Sequence, residues 1–283
     1  MKRFAVLGTA HGWHCEQLLL AFERCGAAAD FLTVSALVST PGVNGAVSEM
    51  SAYDGLVIRG IPSGSLEQVI YRMDALYAME RSGLYCVNSP RTIEKTVDKY
   101  LTTALLYEAG LPVPPTICCE SAEVAMRAFD VLGGDVVYKP LFGSCGNGLL
   151  RLQNSEEAEE AFSGIVAMCG VLYLQQFIPC GNSDIRAFVI KDRVIAAMKR
   201  TGKDWRANIS RGGTAQTYIL SPYEQELALR AAQTVGATVA GVDLLVSEAG
   251  ETYVTEVNGC PGWQGLSCVT DVDIANEIVS LLL

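Results

Sequence analysis

The sequence predicts an α/β chain, α+β taken over its whole length, built as three units: a doubly wound parallel sheet over 1–88, a central α+β unit over 89–173 and an antiparallel-sheet α+β unit over 174–283. Three observations predict it. Strand and helix periods alternate through the first ninety residues, two short apolar runs bracket a glycine-rich loop near Gly143, and strand runs joined by tight turns dominate the last third. A chain of 283 residues exceeds one typical domain. With half its residues apolar and 18% charged, it has the composition of a folded globular protein.

Residues 4–7 read as a first strand that runs through a glycine turn at 8–13 into a helix over 15–25, where Leu18, Leu19 and Phe22 recur at helical spacing. A second βα unit follows, with a strand at 53–58, a helix at 65–81 and a strand at 84–87. Leu66, Val69, Ile70, Met73, Leu76 and Tyr77 form the apolar face of that helix. Ser89-Pro90 supplies an N-cap and first-turn proline for one helix running to about residue 109, where Gly110 and Pro112 stop it. Val97, Leu101 and Leu105 share its buried side, and Lys99, two residues from Val97, points away from that stripe. A strand at 116–118, a helix at 121–132 and strands at 136–140 and 149–152 complete the middle. Beyond them 171–178, 185–190 and 194–199 read as strands, the last two joined by a tight turn at Lys191-Asp192-Arg193. Ser221-Pro222-Tyr223-Glu224 is a capping box with proline at the first helical position, and it opens a helix to about residue 240. Runs 241–247 and 252–258 then close as a hairpin through Glu248-Ala249-Gly250-Glu251.

A net charge of −10 argues against general electrostatic attraction to nucleic acid or anionic lipid, so neither is an expected partner. The longest apolar runs, 164–174 and 239–246, fall short of the roughly 18–20 residues that cross a bilayer. Met1-Lys2-Arg3 has the charge of a signal peptide, but polar residues return too soon after it, and the segment reads better as the first strand. Ten cysteines without a C-x-x-C pair do not suggest zinc and fit free thiols in a reducing cytoplasm, the expected location.

Three constellations could carry chemistry. If Ala249-Gly250 are the two loop residues of the last hairpin, Glu248 faces Glu251 and Asp243 falls opposite Glu256, with Asn258 on the same face as Glu256. Facing carboxylates destabilise a sheet unless their charge is offset. A divalent cation would do this, and all-oxygen ligands suit Mg²⁺ or Mn²⁺ rather than zinc. The same residues also suit a solvated sheet face beside lysines or arginines, and a one-residue slip would part them. The second constellation is Lys139 followed by Gly143, Gly146 and Gly148. Glycines there free backbone N–H groups for phosphate oxygens, although such a turn can equally be a plain flexible hairpin. A strand rather than a helix comes next, so it is neither a P-loop nor a dinucleotide fingerprint. The third, Lys203-Asp204-Trp205-Arg206-Ala207-Asn208-Ile209-Ser210-Arg211-Gly212-Gly213, suits an anion held by planar guanidinium forks, or an exposed basic loop.

In this order the segments resemble the ATP-grasp superfamily, and within it the RimK-like alpha-L-glutamate ligases. Asp98-Lys99 with the following helix and Gly110-Leu111-Pro112-Val113-Pro114 resembles the opening of the family's central domain. Lys139 with Gly143, Ser144, Gly146 and Gly148 resembles its phosphate-covering loop. Gln175-Gln176-Phe177-Ile178 and Asp184-Ile185-Arg186 resemble the adenine hinge and ribose region, and 205–213 the arginine loop. Gly241-Val242-Asp243 with Glu256-Val257-Asn258-Gly259-Cys260-Pro261-Gly262 resembles the metal motifs. E-x-N-x-x-P-G paired with an upstream G-V-D is far rarer than a glycine loop, and it weighs toward catalysis. The wording Lys139-Pro140-Leu141-Phe142-Gly143-Ser144 is most similar to ligases that add glutamate to pterin or deazaflavin cofactors, such as tetrahydromethanopterin. One departure is plain: the hinge commonly holds a carboxylate where this chain has Gln175 and Gln176, which leaves adenine N6 to backbone or to a glutamine carbonyl.

The resemblance implies an ATP-grasp fold whose central unit is a lid, and an ADP-forming carboxylate–amine ligase working through an acylphosphate. It assigns ATP to Lys99, Lys139, Gly143, Ser144, Gly146, Gly148, Gln175, Gln176, Phe177, Ile178 and Asp184. Two Mg²⁺ ions, with Mn²⁺ able to substitute, go to Asp243, Glu256 and Asn258. Arg211, with Arg206 and Asn208, would stabilise the acylphosphate and the tetrahedral oxyanion. Substrates are a small-molecule carboxylate and an amine, glutamate foremost, and the assembly expected is a homo-oligomer. Arg59 and the turn His11-Gly12-Trp13-His14 are candidates for holding an anionic or aromatic acceptor, with a structural cap as the plainer alternative. Other readings are a different amino acid, a peptide or protein acceptor, or a nucleotide sensor without turnover. A dinucleotide oxidoreductase is disfavoured, because Gly8-Thr9-Ala10-His11-Gly12 lacks the third glycine.

Overall fold

The computed structural model describes residues 2–40, 52–143, 147–207 and 212–283. The first unit runs β1 (Arg3–Gly8), α1 (Trp13–Arg24), β2 (Ala28–Thr33), β3 (Gly55–Ile58), α2 (Leu66–Arg81) and β4 (Tyr85–Val87). Its sheet is parallel throughout in the order β2-β1-β3-β4, the doubly wound arrangement expected. Helix α1 forms where Cys15, Leu18, Ala21 and Phe22 fall on one side, and that side is buried, with Phe22 stacked on Phe4 at 4.9 Å. Ser65 and Gln68 close a reciprocal capping box at the start of α2. Strand β2 is absent from the sequence-based prediction. It lies at the sheet edge and is only half buried, so it lacks a clean alternating pattern.

The single helix expected over 89–109 is two, α3 (Pro90–Val97) and α4 (Lys99–Glu108). Asp98 is the reason: its Oδ1 accepts from the Leu101 N–H at 3.0 Å, so it caps a new helix and resets the phase. Val97 is consequently exposed rather than part of a buried stripe, and Thr102 and Leu106 are the buried positions of α4. A break after residue 88 would place both helices with the middle unit. Helix α4 packs instead on the third sheet and its helix, and α3 lies between these and α2, Thr92 donating to the Gly236 carbonyl at 2.8 Å and Lys95 to that of Val235 at 3.3 Å.

The second sheet comprises β5 (Thr116–Cys119), β6 (Val136–Lys139), β7 (Leu150–Leu152) and β8 (Leu172–Gln176), antiparallel in the order β5-β8-β6-β7. Strand β8 spans the 173/174 boundary drawn from sequence and belongs wholly to this sheet. Helices α5 (Ala122–Val131) and α6 (Ser155–Ala167) bury Phe129 and Phe162 against Leu172 and Leu174 in a core of their own.

The third sheet, β11-β10-β9-β12-β13, is antiparallel and consists of β9 (Ser183–Ile190), β10 (Arg193–Thr201), β11 (Thr214–Thr217), β12 (Val239–Val246) and β13 (Thr252–Asn258). Lys191-Asp192 is the tight turn between β9 and β10, with Lys191 at φ 52°. Helix α7 (Pro222–Val235) covers one face, opened by the Ser221/Glu224 capping box. Phe188, Met198 and Val239 join Leu18 and Phe22 of the first unit in a shared core completed by Trp263. After the short α8 (Gln264–Ser267), α9 (Ile274–Val279) packs back on α1. The first and third sheets are thus welded together, and the second stands apart with its own core.

Candidate active site

The chemistry-bearing end of the third sheet depends on a local irregularity in its last hairpin. Asp243 does face Glu256, as the sequence predicts, but by a different route. The turn holds three residues, with Gly250 at φ 86° and the Ser247 N–H bonded to the Glu251 carbonyl at 2.8 Å, which shifts the pairing by one. A bulge at Thr255 shifts it back. The bulge has a chemical result: Val254 and Val257, three residues apart, are both buried under α7, whereas Thr255, Glu256 and Asn258 all line a cleft. Strict alternation would have put Glu256 on the same face as Val254.

That cleft, of about 430 Å³, lies between the second and third sheets. The second sheet contributes Lys139, Gln175 and Gln176, continued by Phe177 and Ile178. The third contributes Asp184, Arg186, Arg200, Asp243, Glu256 and Asn258. Lys99 reaches in from the first turn of α4, its Nζ donating to the Gly143 carbonyl at 2.8 Å. The break at Asp98 is what puts Lys99 there. Asn147 also lines the cleft, and Gly148 follows at φ 75° where a Cβ would meet Pro140 at 2.8 Å.

Asp243 is buried between two guanidiniums. Arg186 holds it through both oxygens, and Arg200 lies 2.9 Å from Oδ2. Burial alone would raise its pKa, but Arg186 and Arg200 outweigh burial and hold it at about 2. Arg200 also binds both oxygens of Asp184 at 2.6 Å. Asp184, which the resemblance assigns to a ribose, lines the cleft as the second carboxylate on Arg200, its pKa pushed up by burial against the pull of that arginine. The arginines beside Asp243 were one of the two readings left open by the sequence. Glu256 differs, since among the described residues it makes no hydrogen bond or ion pair. Asn258 turns its Oδ1 to the Cys260 N–H at 3.0 Å. No group of three or more His, Cys, Asp or Glu side chains shaped for a metal occurs among the described residues. The oxygen set of Glu256, Asn258 and Asp243, next to two lysines and two arginines, fits Mg²⁺ arriving with a polyphosphate rather than a resident ion held by protein alone.

At the other wall, the half-buried Lys139 ammonium donates to Gln175 Oε1 at 2.7 Å. Burial pulls its pKa down, and neighbouring Lys99 does the same, against Glu256, Asp243 and Asp184. Gln175 in turn donates to Thr116 Oγ1 at 3.0 Å and to the Tyr173 hydroxyl at 3.2 Å, which pairs with Thr103 of α4 at 2.8 Å. Of the two glutamines suggested for adenine recognition, Gln175 thus already has its carbonyl on Lys139, and Gln176 lines the cleft. Arg206 lines the cleft and folds onto Asp204 at 2.6 Å. Asn208, Arg211, Ser144 and Gly146 lie outside the described residues.

The far end of the cleft is formed by His14, Gly262, Gln264 and Gly265. His14 Nε2 accepts from the Trp263 N–H at 3.0 Å. Burial, with the Arg59 guanidinium adding to it, lowers the His14 pKa to about 4. Arg59 lies over the Trp263 ring at 4.7 Å and donates to the Pro261 carbonyl at 2.7 Å. His11 packs edge-on against Phe31 and does not line the cleft.

Two residues that sequence reasoning missed complete the arrangement. Arg200 is one; its signal was its place across the β9–β10 pair from Asp184. Asn88 is the other. Its buried amide donates to the carbonyls of Val239 and Gly259 at 2.7 and 2.6 Å and accepts from the N–H groups of Thr238 and Val239, so it fixes the segment after Asn258. Nothing local in the sequence marks that role.

Residues 96–282 match the model of the RimK-like ATP-grasp domain, a span that contains the two lysines, the hinge and the Asp243–Glu256–Asn258 face. The chain belongs to the RimK-like ATP-grasp family. It is an ATP-binding ligase of that family, and it is 33% identical over 262 residues to a tetrahydromethanopterin:alpha-L-glutamate ligase of Methanosarcina acetivorans, covering 82% of this chain and 81% of the relative. Among solved structures it is similar to a RimK domain ATP-grasp protein of Sphaerobacter thermophilus, with a TM-score of 0.78 at 23% identity over 99% of each chain. The ATP-grasp ligase PsnB, solved with a phosphomimetic variant of its minimal precursor, Mg and ADP, superposes with a TM-score of 0.74 at 20% identity, covering 100% of this chain and 98% of PsnB. At those identities the structures establish the ATP-grasp fold alone.

Proposed function

We propose that this ATP-grasp ligase forms an amide between L-glutamate and a carboxylate of a small cofactor of the tetrahydromethanopterin type, releasing ADP and phosphate. The observation that carries the reading is Glu256, a carboxylate without hydrogen-bond or ion-pair partner among the described residues, placed in the same cleft as Lys139, Lys99 and Asn258. Such a constellation has charge to offset on both sides, and a metal–polyphosphate complex offsets both. The similarity to a tetrahydromethanopterin:alpha-L-glutamate ligase supports the substrate pair.

In this reading Lys99 and Lys139 bind phosphate oxygens, and Lys99, tied to the Gly143 carbonyl, sets the glycine loop over them. Glu256, Asn258 and Asp243 would hold two Mg²⁺ ions, with Mn²⁺ able to replace them, and the ions would neutralise charge on the transferring phosphoryl group. Arg186 and Arg200 keep Asp243 ionised until ligands arrive. The substrate carboxylate oxygen attacks the γ-phosphorus and ADP leaves. The amine of glutamate then attacks the acyl carbon, the carbon–oxygen bond to phosphate breaks, and inorganic phosphate departs. Arg206 lines the cleft, and Asn208 and Arg211 follow it in sequence; these residues are proposed to steady the acylphosphate and the oxyanion.

The test reads ADP release and product mass together while glutamate, other amino acids and peptides are offered with a tetrahydromethanopterin-type acceptor. Glutamate-dependent ADP release with a glutamylated product is expected. Release with a peptide acceptor or another amino acid only would replace the substrate assignment. Glu256→Gln should abolish ADP formation, a fall of about 10³-fold or more, with circular dichroism unchanged; near-normal turnover would remove the metal role.

A further inference from the structure

Arg59, just after β3, is a half-buried arginine for which the reaction as described has no use. Its Nε is shut off from solvent and has no hydrogen-bond partner, and among the described residues no carboxylate pairs with it. A buried guanidinium without a counter-charge is costly, and such groups are normally found paired. Apart from the Pro261 carbonyl and the Trp263 ring, the groups beside it include further donors. His14 uses its Nε2 lone pair to accept from the Trp263 N–H, so the neutral ring carries its proton on Nδ1, and that N–H has no acceptor among the described residues. Helix α1, which begins here, has no side chain capping its first amides. His14 and Gly262 line the cleft, and Arg59 lies behind them, sharing the Trp263 ring with His14 at 4.7 Å from each. The crevice beyond the carboxyl ends of β1 and β3 is also where open parallel sheets take ligands.

We propose that Arg59, with His14 Nδ1–H and the start of α1, forms a subsite for a substrate carboxylate that is not phosphorylated. The occupant is either the α-carboxylate of the incoming amino acid or a spare carboxylate of the acceptor, the chemistry being the same. The inference rests on the ligase reading only in placing the reacting carboxylate near Glu256. The Trp263 ring under Arg59 and the Pro261 carbonyl hold the guanidinium in position, so the carboxylate meets a fixed cation.

Calorimetric titration of the full-length protein, with Mg²⁺ and a non-hydrolysable ATP analogue present, tests this using L-glutamate and glutarate. Glutarate stands for an acceptor dicarboxylate without an amine. At least one should bind, and Arg59→Gln should weaken it about 10- to 100-fold while analogue affinity stays within about twofold. The glutamate arm identifies the amino acid as occupant, the glutarate arm the acceptor. If Arg59→Gln does not fold, Arg59→Lys decides, since an ammonium lacks the planar fork and should also lose carboxylate affinity selectively. Unchanged carboxylate affinity, a parallel loss of nucleotide affinity, or no binding of either probe to the unaltered protein overturns the subsite. Failure of the glutamate assignment alone looks different, because glutarate would still bind through Arg59.

Discussion

The amide of Gln175 holds Lys139 without lending it a charge, and this has a measurable result. A buried ammonium on a neutral partner gives up its proton more readily than one on a carboxylate, and the Lys139 pKa is indeed pulled down by burial. If Lys139 binds phosphate as an ammonium, nucleotide affinity weakens on the alkaline side as that proton leaves. Gln175→Glu supplies the missing charge, so the alkaline limb should move upward by about a pH unit or more, as read by ATP-analogue affinity from pH 7 to 10. His14 gives the opposite sign of experiment. Its pKa falls from 6.5 to about 4 on folding, so the unfolded chain binds more protons between those values. The associated stability is complete above pH 6.5 and is lost as pH falls toward 4. Partial exposure screens it to on the order of 1 kcal/mol. Between pH 6.5 and 4 the unaltered protein should lose about that margin of stability relative to His14→Gln, as read from thermal melts across that range.

At the scale of elements, the β12–β13 hairpin shows how a ligand face is built from an irregular strand. Removing Thr255 abolishes the bulge and leaves Val254, Glu256, Val257 and Asn258 in strict alternation, so both valines stay buried and Glu256 stays in the cleft. A loss of about 1 kcal/mol, from the Thr255 hydroxyl's bond to the Asp243 carbonyl, with nucleotide binding retained, is the expected outcome in denaturant unfolding and titration. Much of this site could be read from the chain. Asp243 opposite Glu256 followed from alternation, although a two-residue turn without a bulge reached the same pair by two offsetting errors. Helix α7 was legible because proline and a capping box mark its start, and the parallel first sheet because βα periodicity does. What escaped has identifiable causes. Asp98 restarted a helix in mid-run, a reset that an apolar stripe conceals. Strand β2 is a half-buried edge, and β11 pairs only with β10. Helix α6 carried a signal, Asn154 with Glu156 and Glu157 in the first turn, that its apolar neighbours obscured. Arg200 and Asn88 act on partners distant in sequence, which no local pattern reports.

Across the whole molecule, no helix among the described residues is long and apolar enough to cross a membrane, and the cleft is the junction of all three units. A ligand gripped there ties them together. A nucleotide with Mg²⁺ at a hundred times its dissociation constant should add about 2.7 kcal/mol and raise Tm by roughly 5–10 °C. Chelating Mg²⁺ should remove most of that rise, and an unchanged Tm with both present would count against the cleft as the nucleotide site. The units are not equally free. Asn88 and the return of α9 onto α1 fasten the first sheet to the third, whereas α5 and α6 pack on each other and on their own sheet. The chain reaches that second sheet through 109–115 and leaves it through 177–182. In amide hydrogen exchange these two crossings should slow together when nucleotide is added, while α1 and α9 keep their rates. With so little connecting it to the rest, the second sheet can clear the cleft by rotation alone, and the clock for releasing ADP would then be the stiffness of two short stretches of backbone.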